Sequence, residues 1–264
     1  MDRLASRAMA SLDGVRALVT GSTSGLGLAM ASALASEGAA VAVTGRSADR
    51  AAAVAERLGP RCFGVALDVR SGASVRAGVE SAWSRLGGID LLVNNAGIGM
   101  RTVNPRFLDE PQPFWEVPAG GFRDVLETKV TGCFLVASEV VPRMLAAGGG
   151  RVVNISMNES TMVRRGFVPY GPAGAGVEAL SRVMAADLVD APVRVNVLLP
   201  GGATATGMIP AEGVADELRA SLLSPDLMGP PIVWLASDEA AGVHDERIVA
   251  TEFQDWLAGR RAAS

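Results

Sequence analysis

Two side chains that can exchange protons each occur only once in this chain. Tyr170 is the only tyrosine, Lys129 is the only lysine, and 41 residues separate them. A phenol has an ordinary pKa of about 10, so it gives up its proton readily at neutral pH only when a nearby positive charge lowers that pKa. We therefore predict that Tyr170 is a catalytic acid and that Lys129 is its electrostatic partner.

A glycine-rich segment follows the first apolar stretch and opens a predicted helix. Glycines permit a tight turn and a close approach of the backbone, and a helix N-terminus presents free N–H groups to a phosphate. We predict that a dinucleotide binds to this segment, whose residues are Gly21, Ser22, Thr23, Ser24, Gly25, Leu26 and Gly27.

The second predicted strand ends at Thr44-Gly45-Arg46-Ser47, without a carboxylate. A carboxylate at this place binds the 2′-hydroxyl of the adenosine ribose, whereas an arginine pairs with a 2′-phosphate. Arg46 therefore favours NADP(H) over NAD(H) as the cofactor.

Short apolar stretches that alternate with helical ones must position these residues. The predicted strands are 15–20, 40–45, 62–68, 89–94, 151–156 and 193–199. Strands that are apolar on both faces and are followed by helices form a parallel sheet covered on both sides. Right-handed crossovers then give a Rossmann-type, doubly wound α/β fold with three layers, α/β/α. We predict one domain over residues 1–264, with residues 1–12 as a mobile N-terminal tail.

Two longer segments, 101–118 and 201–225, interrupt the alternation and carry large apolar side chains. Both follow strands, at the sheet edge where such folds bind ligands. We predict that they shape a largely apolar substrate pocket. The first candidates for its wall are Phe107, Phe114, Trp115 and Met208.

Composition limits the partners of the chain. A net charge of −4 argues against a nucleic-acid partner. No stretch reaches the roughly 18 uninterrupted apolar residues of a membrane span, and the first residues lack a signal-peptide pattern. We expect a cytoplasmic protein with no membrane partner, and we predict no metal site, because both cysteines lie in apolar runs.

These segments, together with Asn94-Asn95-Ala96-Gly97 and Pro200-Gly201, resemble the short-chain dehydrogenase/reductase family over residues 12–257. The resemblance implies a small-molecule substrate and a homodimer or homotetramer. It also implies further cofactor contacts, which are Asp68 and Val69 beside the adenine, Asn95, Ala96 and Gly97 along the ribose and chain path, and Pro200, Gly201, Thr204 and Thr206 near the nicotinamide.

The family's active site is an Asn-Ser-Tyr-Lys tetrad, and by this resemblance only its tyrosine is kept, as Tyr170. The lysine falls on Gly174, the serine on Met157 and the asparagine on Lys129. Met157 cannot donate the hydrogen bond of the serine, and no lysine at position 174 lowers the pKa of the tyrosine. Losing such charge-assisted hydrogen bonds costs about 1.5–3 kcal/mol each.

Three interpretations follow. In the first, Gly174 empties the volume of the family's lysine, and Lys129 supplies the positive charge from the opposite wall of the cleft. Asn158, which adjoins the position of the family's serine, then replaces that serine as the hydrogen-bond donor to the substrate carbonyl and is the third predicted catalytic residue. The chain is then an NADP(H)-dependent oxidoreductase acting on a mid-sized apolar carbonyl or hydroxyl compound. In the second, the scaffold catalyses a non-redox reaction, as a dehydratase, isomerase, cyclase or lyase. In the third, the protein is a catalytically inactive nucleotide-binding or regulatory homologue. We favour the first.

Overall fold

The computed structural model describes residues 11–209 and 216–263. Its strands are β1 (Arg16–Val19), β2 (Ala40–Gly45), β3 (Cys62–Ala66), β4 (Leu91–Asn94), β5 (Gly150–Ile155), β6 (Val193–Leu199) and β7 (Arg247–Val249). They form one sheet in the order β3-β2-β1-β4-β5-β6-β7. Every pairing is parallel, and Leu18 of β1 pairs with Ala42 of β2 and Leu92 of β4. The doubly wound parallel sheet is therefore confirmed.

The helices follow the strands along the chain. The α-helices of the described residues are α1 (Gly25–Ser36), α2 (Ala48–Leu58), α3 (Gly72–Leu86), α4 (Ala119–Leu126), α5 (Gly132–Ala146), α6 (Glu159–Met162), α7 (Tyr170–Asp187), α8 (Asp216–Ala220), α9 (Gly229–Ala236) and α10 (Phe253–Ala263). A π-helical turn, Glu127–Thr131, joins α4 to α5 without a break.

Alternate strand residues face two separate cores, which explains why the strands are apolar throughout. Ala17 and Val19 of β1 pack with residues of α1, α2, α9 and α10. Leu18, between them, packs with residues of α3, α5 and α7 on the opposite face. The result is the expected three layers.

The chain order reverses between β1 and β4. β2 and β3 lie on one side of β1, whereas β4 to β7 lie on the other. The connections that leave the carboxyl ends of β1 and β4 therefore diverge and leave a crevice between them, which is the usual ligand site of an open parallel sheet.

The structure differs from the prediction at residue 12. Leu12 was expected in a mobile tail, but its side chain is fully buried and its N–H donates to the Glu37 carbonyl at 2.8 Å. An apolar side chain that fills a core position fixes the backbone that carries it. Residues 1–10 of the predicted tail and residues 210–215 of the predicted pocket segment lie outside the described residues.

No helix within residues 11–209 and 216–263 is long and apolar enough to cross a membrane.

Candidate active site

The glycine-rich turn between β1 and α1 has the geometry that a pyrophosphate requires. Gly21 has a φ of +63°, and a methyl group added to it would lie 2.9 Å from the Ala96 Cα atom. Ser24 precedes α1 and makes no side-chain hydrogen bond to the first turn. The N–H groups of that turn are thus free to meet a phosphate at the positive end of the helix dipole.

Hydrogen bonds from neighbouring strands hold this turn in place. The Ser22 hydroxyl donates to the Val19 carbonyl at 2.8 Å and accepts from the Thr44 N–H at 2.9 Å. The Asn95 amide donates to the Thr20 carbonyl, also at 2.9 Å. Ser22 thus supports the turn from inside, where its side chain is fully buried.

A cluster of positive charge stands where the predicted adenosine end of the cleft lies. Arg70 pairs with Asp68 at 3.3 Å, and its guanidinium lowers the pKa of that carboxyl. Arg46 and Arg50 also line the cleft, and neither makes an ion pair with a described residue. Two unpaired guanidinium groups here are suited to a phosphate. Arg50 and Arg70 were missed from the sequence, although both lie just after strands that end at this edge.

The cleft has a volume of about 700 Å³ and brings together most of the predicted cofactor residues. Three predicted residues, Ser22, Gly27 and Gly201, do not line it. Those that do are Gly21, Thr23, Ser24, Gly25, Leu26, Arg46, Asp68, Val69, Asn95, Ala96, Gly97, Pro200, Thr204 and Thr206.

Tyr170 lies at the first residue of α7 and lines the same cleft. Its ring packs against a small apolar cluster that contains Phe107 and Phe167. Its hydroxyl donates to the Met208 sulfur at 3.6 Å, a weak hydrogen bond. Burial raises the pKa of Tyr170 to about 12, and Lys129 does not lower it, contrary to the prediction from the sequence, so the phenol keeps its proton at neutral pH.

Lys129 lies in the π-helical turn, and only 8% of it is exposed. Its Nζ is 5.1 Å from the centroid of the Tyr170 ring, within the range of a cation–π interaction. Its side chain runs along Gly97, where an added methyl group would lie 3.2 Å from Cγ and 3.5 Å from Nζ. Burial lowers the pKa of Lys129 to about 8. The structure thus places the ammonium next to the ring of Tyr170, but just behind the wall of the cleft and not in it.

Gly174 does not leave an empty volume for Lys129, and this part of the prediction is wrong. A methyl group added to Gly174 would lie 2.6 Å from the Met157 Cε atom and 2.8 Å from its sulfur. Met157 is buried, so its flexible thioether fills the space beside Gly174. The distance in sequence between positions 157 and 174 hid this contact.

Asn158 lines the cleft, but one of its N–H groups is already used. Its Nδ2 donates to the Gly201 carbonyl at 2.8 Å, which ties the end of β5 to the loop after β6. The second N–H of the same amide is the one that can serve as a donor to a substrate.

An ion pair beneath Asn158 was not predicted. Arg247 Nε donates to Glu178 Oε1 at 3.0 Å, and a second guanidinium nitrogen donates to the Met157 carbonyl at 3.1 Å. The Ser156 hydroxyl donates to the same carboxylate at 2.7 Å. This network fixes the backbone that carries Met157 and Asn158 onto α7 and β7.

The predicted pocket wall is half right. Phe107 and Met208 line the cleft. Phe114 and Trp115 do not, because they are 67% and 72% exposed and contact each other edge to face at 5.2 Å. Phe167, which also lines the cleft, packs against Phe107 at 5.6 Å and was not predicted.

Comparison with known proteins agrees with this geometry. A short chain dehydrogenase family model matches residues 16–214. D-threitol dehydrogenase of Mycolicibacterium smegmatis is 34% identical over 248 residues, covering 90% of this chain and 92% of the relative. A 3-ketoacyl-(acyl-carrier-protein) reductase from Brucella melitensis, complexed with NADH, has a TM-score of 0.80 at 29% identity, covering 90% of this chain and 97% of that one. A gluconate 5-dehydrogenase from Burkholderia cenocepacia, in complex with NADP and tartrate, has a TM-score of 0.81 at 28% identity, covering 94% and 99%. The chain therefore belongs to the short-chain dehydrogenase/reductase family.

Proposed function

We propose that the chain is an NADP(H)-dependent oxidoreductase that reduces the carbonyl group of a mid-sized apolar compound. The proposal depends mainly on one distance: the Lys129 ammonium lies 5.1 Å from the centre of the Tyr170 ring. A cation and a phenol are thus kept together although the family's lysine position holds Gly174. Both lie at the sheet edge where the glycine-rich turn would hold a nucleotide.

The protonation states of the two side chains support the direction of the reaction. With a pKa of about 12, Tyr170 holds its proton and can donate it to a carbonyl oxygen, but it is a poor acceptor for the proton of an alcohol. With a pKa of about 8, Lys129 is mostly charged at neutral pH. Its charge lies 5.1 Å from the centre of the Tyr170 ring and would act on the phenolate that forms when Tyr170 gives up the proton, whereas burial alone sets the raised pKa of the resting phenol.

The free guanidinium groups support NADP(H) as the cofactor. Arg46 and Arg50 line the cleft without an ion pair to a described residue, so both guanidinium groups can pair with a 2′-phosphate, although the charge of Arg46 also contributes to lowering the pKa of Asp68 in the same cleft. When bound, the cofactor supplies the hydride. The Brucella reductase was solved with NADH and the Burkholderia dehydrogenase with NADP, so the similar structures leave both cofactors open and the proposal of NADP(H) depends on the arginines of this chain.

The opposite end of the cleft supports an apolar substrate. Phe107, Phe167 and Met208 line it, and the second N–H of Asn158 is available to orient a carbonyl oxygen. A substrate oxygen that takes the Tyr170 proton must replace the Met208 sulfur as the hydrogen-bond acceptor. An oxygen is the stronger acceptor, so this exchange is favourable.

The test is NADPH oxidation with a panel of apolar aldehydes and ketones. Tyr170→Phe and Lys129→Met should each lower kcat/KM at least about 100-fold, the lower range for a lost proton donor. Lys129→Arg keeps the charge and should retain part of the activity, and Phe114→Ala, away from the cleft, is the control that should change nothing. Full turnover in Lys129→Met would refute the role of the ammonium.

Two observations favour a second candidate, a nucleotide-binding protein without turnover. Met157 fills the space beside Gly174, and the Tyr170 hydroxyl is already bonded to Met208. Tight NADPH binding by calorimetry, with no reaction across the panel, would favour that candidate. Product that forms without any nucleotide would favour a non-redox enzyme instead. The homodimer or homotetramer stays a prediction, which light scattering can check.

A further inference from the structure

A small cavity lies behind the cleft, between β1, β4, the π-helical turn and α5. Its volume is about 10 Å³. Its polar lining consists of Thr20, Asn94, Lys129 and Cys133, and the other residues around it are apolar or glycine. It adjoins the cleft where we place the cofactor and the substrate, because Val69, Ala96 and Ile155 line both spaces.

Two of the lining groups lack hydrogen-bond partners: the Asn94 Oδ1 atom, which is an acceptor, and the Lys129 ammonium, which is a donor. Asn94 is 5% exposed, and its Oδ1 is buried without a hydrogen bond, while its Nδ2 donates to Asn154 Oδ1 at 2.9 Å. Lys129 donates no hydrogen bond to any described residue, and no carboxylate pairs with it. Leaving a buried polar group unsatisfied costs about 1–3 kcal/mol, and more for a charged one. Native structures rarely leave such groups unmatched.

We infer that the cavity holds one water molecule, which accepts a hydrogen bond from Lys129 Nζ and donates one to Asn94 Oδ1. A volume of about 10 Å³ holds one water and excludes any larger ligand. An ordered water also needs two or more polar partners, and the unmatched donor and acceptor supply them.

The other two polar groups of the cavity, on Thr20 and Cys133, have less capacity left for a hydrogen bond to the water. Thr20 Oγ1 already donates to the Val93 carbonyl and accepts from the N–H groups of Asn95 and Ala96. The Cys133 thiol donates to Asn154 Oδ1 at 3.4 Å, so its sulfur can only accept weakly. The bridge therefore runs between Lys129 and Asn94.

This water solvates the Lys129 ammonium, which its apolar neighbours cannot do. Asn94 is then a positioning residue, which acts on the charge of Lys129 through the water. The inference does not depend on catalysis, because the site exists whether or not the protein turns over NADPH.

The direct test is a high-resolution crystal structure of the unaltered protein. A water peak within hydrogen-bonding distance of both Lys129 Nζ and Asn94 Oδ1 is expected. An empty cavity, or a direct hydrogen bond between these two atoms, would overturn the inference.

The second test uses the fact that the chain has a single lysine. Protein grown with ¹³C-labelled lysine gives one lysine Cε signal by NMR, and its shift against pH reports the pKa of Lys129 alone. Cys133, which lines the same cavity, and Tyr170, whose ring is 5.1 Å from Nζ, both have pKa values raised by burial to about 12 and stay protonated through that titration.

Asn94→Leu and Asn94→Asp form a matched pair for this titration, because both lose the amide donor to Asn154. Leucine also removes the acceptor and should lower the pKa of Lys129 by roughly one unit, the equivalent of one charge-assisted hydrogen bond. Aspartate keeps an acceptor and adds a charge, so it should raise that pKa. If both variants titrate like the unaltered protein, the bridge does not exist; if neither folds, the crystal structure decides.

Discussion

Replacing Lys129 with methionine should make the nucleotide-free protein more stable at neutral pH. Burial lowers the pKa of Lys129 from 10.5 to about 8. Each pKa unit corresponds to about 1.4 kcal/mol, so the buried charge opposes folding by about 3 kcal/mol at pH 7. Methionine has a similar length and no charge, and it should relieve most of that penalty.

The pH dependence separates this effect from simple packing. Between pH 8 and 10.5 the unfolded chain still binds the lysine proton while the folded protein has released it, so the stability of the unaltered protein rises with pH. The advantage of Lys129→Met should therefore shrink by about 2–3 kcal/mol between pH 7 and pH 10. Urea denaturation of both proteins at the two pH values measures this. An advantage that stays the same at pH 7 and pH 10 would refute the buried-charge explanation.

Three further outcomes follow from contacts around the cleft. Gly174→Lys alone should destabilise the protein by about 1–3 kcal/mol, because its stem meets Met157, and adding Met157→Ser should recover most of the loss in thermal denaturation. Arg46→Ala should weaken NADP⁺ binding at least about 10-fold and leave NAD⁺ binding nearly unchanged by calorimetry, since only the former carries the 2′-phosphate. Glu178→Gln removes the charge opposite Arg247 and should lower the free energy of unfolding by about 2 kcal/mol in urea, whereas an unchanged value would mean that solvent already screens the pair.

The sheet could be predicted from the sequence because its signal is local. Apolar runs indicated strands, and β2 and β6 have the predicted bounds. The glycine-rich turn was equally visible, because its chemistry lies in consecutive residues. β7 was missed, since a strand of three residues carries little pattern of its own.

The substrate end could be predicted only in part, because it depends on contacts between distant residues. Hydrophobicity marked Phe114 and Trp115 as pocket residues, yet hydrophobicity says nothing about which way a loop side chain faces. The charge at Lys129 was found, but its position behind Gly97 depends on packing between β4 and the π-helical turn. The Met157–Gly174 contact likewise joins residues from two elements.

That contact also couples positions 157 and 174. A lysine at position 174 would have to displace the flexible thioether of Met157, and a serine at position 157 by itself would leave a void beside Gly174. Each change made alone therefore disturbs a volume that the other residue fills or vacates. Any redesign of this wall of the cleft must exchange the two residues together.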